Sequence, residues 1–102
     1  MIRGEVWLAR VGRKQRPVLV LTRSEVLDVR AMVTVAEITT SIRGLAVEVP
    51  IDHAGVGVAR ESVVNCDALH TVAQTSLTSL VGAVDEDVMR RVCAAVSYAF
   101  AC

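Results

Sequence analysis

Apolar residues in this chain fall into short runs until the last fifth, where they change to a helical stripe. Gly4 to Arg10 reads as a first strand, with a tight loop over Gly12-Arg13-Lys14-Gln15 after it. Pro17 to Thr22 is a continuous apolar run, the pattern of a strand covered on both faces. Arg23 to Arg30 is more polar and fits a loop or a short helical turn. Met32 to Ile38 is rich in β-branched residues and predicts a strand. A turn follows over Thr39 to Gly44. Leu45, Val47 and Val49 then alternate with Ala46 and Glu48, which predicts a half-buried strand with Glu48 facing out.

Pro50 to Arg60 contains Gly55 and Gly57 and reads as a loop, and Ser62 to Leu69 as another strand. Thr71 to Thr78 is polar and fits no single element. Leu80 to Val84 predicts a last short strand containing Gly82. Asp85 is a good N-cap, and Glu86 and Asp87 sit in the first turn, where the helix dipole favours acids. Val88, Met89, Val92, Cys93, Val96 and Phe100 recur at helical spacing and predict one apolar stripe, with Cys93 as a small core residue. Five or six short strands before one amphipathic helix predict a mainly β domain with a C-terminal helix (α+β), a small curled sheet or open barrel. No linker or repeat divides residues 1–102, so one domain is expected.

Composition narrows the picture. Aromatic residues are 3% of the chain, so the core is aliphatic and stacking platforms for nucleobases are nearly absent. The apolar fraction of 53% is high for 102 residues and predicts that part of it lies in a subunit interface. Formal net charge is zero, yet residues 1–43 hold eight basic and four acidic residues while residues 44–102 hold three and seven. The N-terminal part can therefore present a positive surface to a polyanion. Cys66, Cys93 and Cys102 are odd in number and lack C-x-x-C spacing, which suggests reduced thiols. No signal peptide or apolar span of ~20 residues is visible, and a cytoplasmic protein without membrane association is expected.

The candidate chemistry centres on Arg16 and Thr39. Pro17 locks its own φ and pushes Arg16 toward an extended conformation, so the guanidinium sits at the mouth of a strand. Such an arginine either caps a carbonyl or pairs with a carboxylate such as Glu37 or Asp67, or forks onto a phosphate. Thr39 and Thr40 close the next strand, where they cap a turn or donate to phosphate oxygens. Asp67 is an ion-pair partner, a solvent-facing residue or an acceptor for base amino groups. His53 and His70 make no recognisable pair, and no metal-binding pattern is present.

Several motifs in order, Arg3-Gly4-Glu5-Val6-Trp7, Arg16-Pro17-Val18-Leu19-Val20-Leu21, Ile38-Thr39-Thr40-Ser41, Glu48-Val49-Pro50, Ser62-Val63-Val64-Asn65-Cys66-Asp67 and Leu80-Val81-Gly82, resemble those of the MazF/PemK family of toxin endoribonucleases. The resemblance implies an SH3-like barrel of the MazF/PemK/CcdB type that forms a homodimer. It implies the toxin of a type II toxin–antitoxin system, neutralised by a MazE-like antitoxin. It further implies cleavage of single-stranded RNA without metal or other cofactor, by attack of the ribose 2′-hydroxyl, leaving 2′,3′-cyclic phosphate and 5′-hydroxyl ends. The family's catalytic arginine falls on Arg16 and its threonine on Thr39. Pro17, Thr40, Ser41, Asn65 and Asp67 become candidate substrate contacts, with Arg13, Lys14 and Arg43 as phosphate contacts. Two departures stand out. Asn65 replaces an arginine that some members place two residues before the aspartate, and the first loop, Val11 to Gln15, is short.

Two other classes compete. A CcdB-like toxin on the same barrel inhibits DNA gyrase by binding and has no need of the Arg16–Thr39 pair. A plain SH3-like interaction module displays an aromatic groove for peptides, and this chain lacks the aromatics.

Overall fold

The computed structural model describes residues 1–11 and 13–101. Gly12 of the expected tight loop and the Cys102 thiol lie outside the described residues. Six strands form one antiparallel sheet: β1 (Glu5–Val11), β2 (Lys14–Val20), β3 (Met32–Thr39), β4 (Glu48–Pro50), β5 (Val63–Ala73) and β6 (Leu77–Ala83). Their order across the sheet is β4-β5-β3-β2-β1-β6. Among the described residues three α-helices accompany them: α1 (Ser24–Leu27), α2 (His53–Val56) and α3 (Glu86–Ala99). The mainly β class with a C-terminal helix is thus as expected.

The sheet is buried on both faces, which is why β2 and β3 read as near-continuous apolar runs. Leu19, Ala36, Ile38, Val64 and Cys66 face one cluster, closed by Val92 and Ala95 of α3 and Val56 of α2. Val18, Val20, Val33 and Val35 face the other, closed by Leu27 of α1 and Leu77. Register shifts interrupt β1 at Val6/Trp7 and Leu8/Ala9, and β3 against β5 at Ala36/Glu37. Such bulges bend strands and raise their twist, which lets a six-stranded sheet curl around a small core.

Four expectations change. β5 runs on to Ala73, and a 3₁₀ turn at Gln74–Ser76 leads into β6 from Leu77, so the ambiguous stretch Thr71–Thr78 is mostly strand. Cross-strand partners on Met32 to Thr34 supply the ladder that its polar side chains do not advertise. The loop from Pro50 to Arg60 contains α2, capped by the Asp52 side chain on the Gly55 amide. Cys93 is exposed, where the Arg3 guanidinium donates to its Sγ at 2.9 Å, and Ala95 is buried instead. The side of α3 that meets β4 and β5 is centred on Val92 and Ala95, which leaves Cys93 outside it. The Asp85 cap is present, accepting from the Val88 amide at 2.9 Å.

The fourth change concerns Leu45 to Val49. Only Glu48–Pro50 is strand, Leu45 is exposed and Glu48 is buried. Its Oε1 accepts from the amides of Arg43, Gly44 and Leu45, at 2.9, 2.9 and 3.3 Å, and Oε2 from the Arg43 guanidinium at 3.5 Å. Burial works to raise the Glu48 pKa, but the bonds from the Arg43, Leu45 and Gly44 amides and the Arg43 side chain hold it below its usual value. A carboxyl whose folded pKa is depressed adds stability above its unfolded pKa, and that stability is lost as pH falls through the folded value. Glu48→Gln should therefore lower Tm at pH 7, with the gap to wild type narrowing as the buffer is acidified. A gap independent of pH would show that the charge is not what holds the loop.

Candidate active site

The β2–β3 register brings the two key residues together. Val18 lies opposite Glu37, so two places further along the antiparallel pair Arg16 falls across from Thr39. Both line one cleft of about 620 Å³, within the range of ligand sites. Its floor is Leu8, Ile38 and Val81, and Pro17 and Thr40 stand beside the pair.

Arg16 is exposed, and among the described residues no carboxylate pairs with it. Neither expected partner holds it. Glu37 accepts from His70 at 2.6 Å. Asp67 is exposed, with its amide bonded to Asn65 Oδ1 at 3.0 Å. A permanent cation at the rim of a cleft is thus left for an external anion. Thr39 is half-buried, and its Oγ1 accepts from the Ser41 amide at 3.0 Å. That bond uses a lone pair and leaves the hydroxyl proton to donate into the cleft.

The opposite wall is Gly57, Val58, Ala59 and Arg60, with Ser62. Local sequence did not single out this segment. Two glycines put it there. Gly82 on β6 has no side chain, and the Val56 carbonyl of α2 occupies the space a Cβ would take. Gly57 then turns the chain with φ +101°, a conformation that favours glycine. The His53 ring bonds through Nδ1 to the Val58 carbonyl at 3.0 Å, and Ser62 Oγ donates to the Arg60 carbonyl at 2.9 Å. Arg60 is a second exposed arginine lining the same cleft as Arg16.

The other sequence candidates lie apart from this cleft. Arg13 and Ser41 are exposed but do not line it. Arg43 is tied to Glu48, and Asn65 sits in β5 opposite Glu37 and Glu48. Lys14 lines a second cleft, shared with Arg16, that also holds Glu37 and His70. The two histidines thus have separate roles, and the His70–Glu37 pair was invisible in the sequence because 33 residues separate them. Burial, with the nearby Cys93, pushes the Cys66 thiol up to about 11, which leaves it protonated at neutral pH. Among the described residues no group of three His, Cys, Asp or Glu could hold a metal ion, and no helix is long and apolar enough to cross a membrane.

Residues 2–100 match the model of the PemK-like, MazF-like toxins of type II toxin–antitoxin systems. The chain belongs to this family. A probable endoribonuclease MazF5 of Mycobacterium tuberculosis is 38% identical over 103 residues, covering 98% of this chain and 93% of the relative. The endoribonuclease MazF3 of the same species is 48% identical over 69 residues, covering 68% and 66%. Among solved structures, the M. tuberculosis toxin MazF-mt6 superposes with a TM-score of 0.89 at 39% identity, covering 95% of this chain and 96% of that one. A mycobacterial endoribonuclease in complex with its cognate antitoxin shares the fold, with a TM-score of 0.89 at 22% identity over 99% and 95%. The SH3-like, MazF-type fold expected from the sequence is therefore established. The gyrase-inhibitor reading is not favoured, since the relatives are named as endoribonucleases.

Proposed function

We propose that the chain is the toxin of a type II toxin–antitoxin pair and an endoribonuclease that cuts single-stranded RNA at preferred sequences. One observation carries the reading: Arg16, with no carboxylate partner among the described residues, lines one cleft together with Thr39 and a second arginine, Arg60. The 2′-hydroxyl attacks the adjacent phosphorus, losing its proton to water, as the P–O5′ bond breaks and the leaving 5′-oxygen takes a proton from water, giving a 2′,3′-cyclic phosphate and a 5′-hydroxyl end. Charge builds on the non-bridging oxygens as the fifth bond forms. Arg16 stabilises that charge, and Thr39 donates to one of those oxygens and fixes its position. Arg60 steadies the neighbouring backbone. Arg16 is a poor proton donor because guanidinium stays charged, so its role is electrostatic. None of these roles calls for a metal ion. Pro17, Thr40 and Lys14 contact the substrate beside the cut. Arg13, Ser41, Arg43, Asn65 and Asp67 contact more distant nucleotides.

A homodimer is part of the reading. Ile42, Leu45 and Tyr98 are large exposed apolar side chains, close to the short edge strand β4 or on α3, which packs against it. A second copy would cover them. The partner besides RNA is a MazE-like antitoxin.

The test is incubation with a pool of random-sequence RNA in EDTA, followed by mapping of the ends. Cuts leaving 5′-hydroxyl ends at recurring sequences are expected. RNA left intact across the whole pool would end the nuclease reading. Sedimentation at micromolar concentration should give a dimer, and a monomer throughout would remove that part.

A further inference from the structure

A second cleft, of about 410 Å³, opens on the other side of Arg16. Its floor is apolar, formed by Val18, Val35 and Val72, and Arg10 and Lys14 stand at its rim. Facing them is the pair Glu37–His70, with Nε2 and Oε2 2.6 Å apart. His70 lies opposite Val35, and Glu37 stands two residues on along the same face of β3, so the two meet as diagonal cross-strand neighbours. The carboxylate side chain is 29% exposed and the imidazole side chain 49%, so a ligand can reach both. The cleavage chemistry above uses neither.

We propose that this cleft receives a nucleobase flanking the phosphate held by Arg16 and Thr39, and that Glu37, oriented by His70, selects a base bearing an exocyclic amino group over uracil. The inference rests on the ribonuclease reading. Arg16 lines both clefts, so an RNA gripped there lays an adjacent nucleotide against the second one. The apolar floor takes the flat faces of the base, while Arg10 and Lys14 meet the next phosphate. With so few aromatic residues, selection falls to hydrogen bonds on base edges. An ionised carboxylate only accepts. His70 engages Oε2 and leaves Oε1 for an incoming donor. Cytosine, adenine and guanine present an amino group to it. Uracil presents a single N–H flanked by two carbonyl oxygens, which the carboxylate repels.

The experiment first locates the cut by sequencing the products of the random RNA pool. Short RNAs with 2′-deoxyribose at the cut nucleotide, which cannot react, are then made with cytosine or uracil at each position flanking the cut. Wild type should bind cytosine over uracil by about tenfold at one such position. Glu37→Gln should bring that ratio close to one, because its amide can donate to a uracil carbonyl. His70→Gln should reduce it partly, and circular dichroism melting checks that both variants fold. A pool that is cut while no flanking position discriminates against uracil overturns the subsite alone. So does a ratio unmoved in both variants, even if their Tm falls, since that marks a purely structural pair. A pool that is not cut at all removes the ribonuclease reading and this inference with it.

Discussion

Arg16→Ala should reduce the rate of RNA cleavage by ~10²–10³ or more while leaving Tm close to wild type. The size follows from what the residue does. A single preorganised donor aimed at developing charge is worth about 2.7–4 kcal/mol of transition-state stabilisation. The small effect on stability follows from where it sits. Arg16 is exposed and has no carboxylate partner among the described residues, so truncation breaks no ion pair and opens no cavity. Arg16→Lys should recover little, because an ammonium cannot span two oxygens of one phosphate. Single-turnover kinetics on an RNA containing the mapped cut site makes the measurement. Near wild-type cleavage by the alanine variant would take Arg16 out of the mechanism.

Among the described glycines, Gly82→Ala meets the closest backbone obstruction and should destabilise by about 1–3 kcal/mol through forced displacement of backbone. The position is on β6, and the atom in the way is the Val56 carbonyl oxygen, which cannot rotate aside as a flexible side chain would. Relief requires α2 to move off the sheet. That motion takes Gly57, whose own Cβ position lies 3.1 Å from the Val81 carbonyl, and with it the Val58–Arg60 wall. Cleavage should therefore fall along with Tm, although Gly82 lines neither cleft. Denaturant unfolding of the variant beside the wild type tests the first part. An unchanged midpoint would mean that α2 is not seated against β6 as described.

Much of the architecture was legible because burial periodicity is local. Val18, Leu19 and Val20 announce a strand with two covered faces, and Asp85 announces the start of α3 through its own cap. Glu48 and Cys93 were misjudged for one reason. Alternation and helical spacing say that some face is buried, but a neighbour's position decides which residue completes it. Three loop amides turn Glu48 inward, and α3 seats Val92 and Ala95 against the sheet, which leaves Cys93 outward.

By itself, the chain determined that Arg16 is extended, through Pro17, and that Thr39 ends the next run of β-branched residues. The strand mouth expected at Arg16 is instead the interior of β2, which starts at Lys14 because β1 pairs with it there and sets Arg16 opposite Ala9. Only the tertiary structure decided that Arg16 and Thr39 line one cleft, that Arg60 lines it too, and that His70 grips Glu37 beside a second cleft. Those proximities join residues far apart in sequence. They depend on strand register and on the room left by Gly82, which are fixed by packing of the whole sheet and by no local preference of the residues involved.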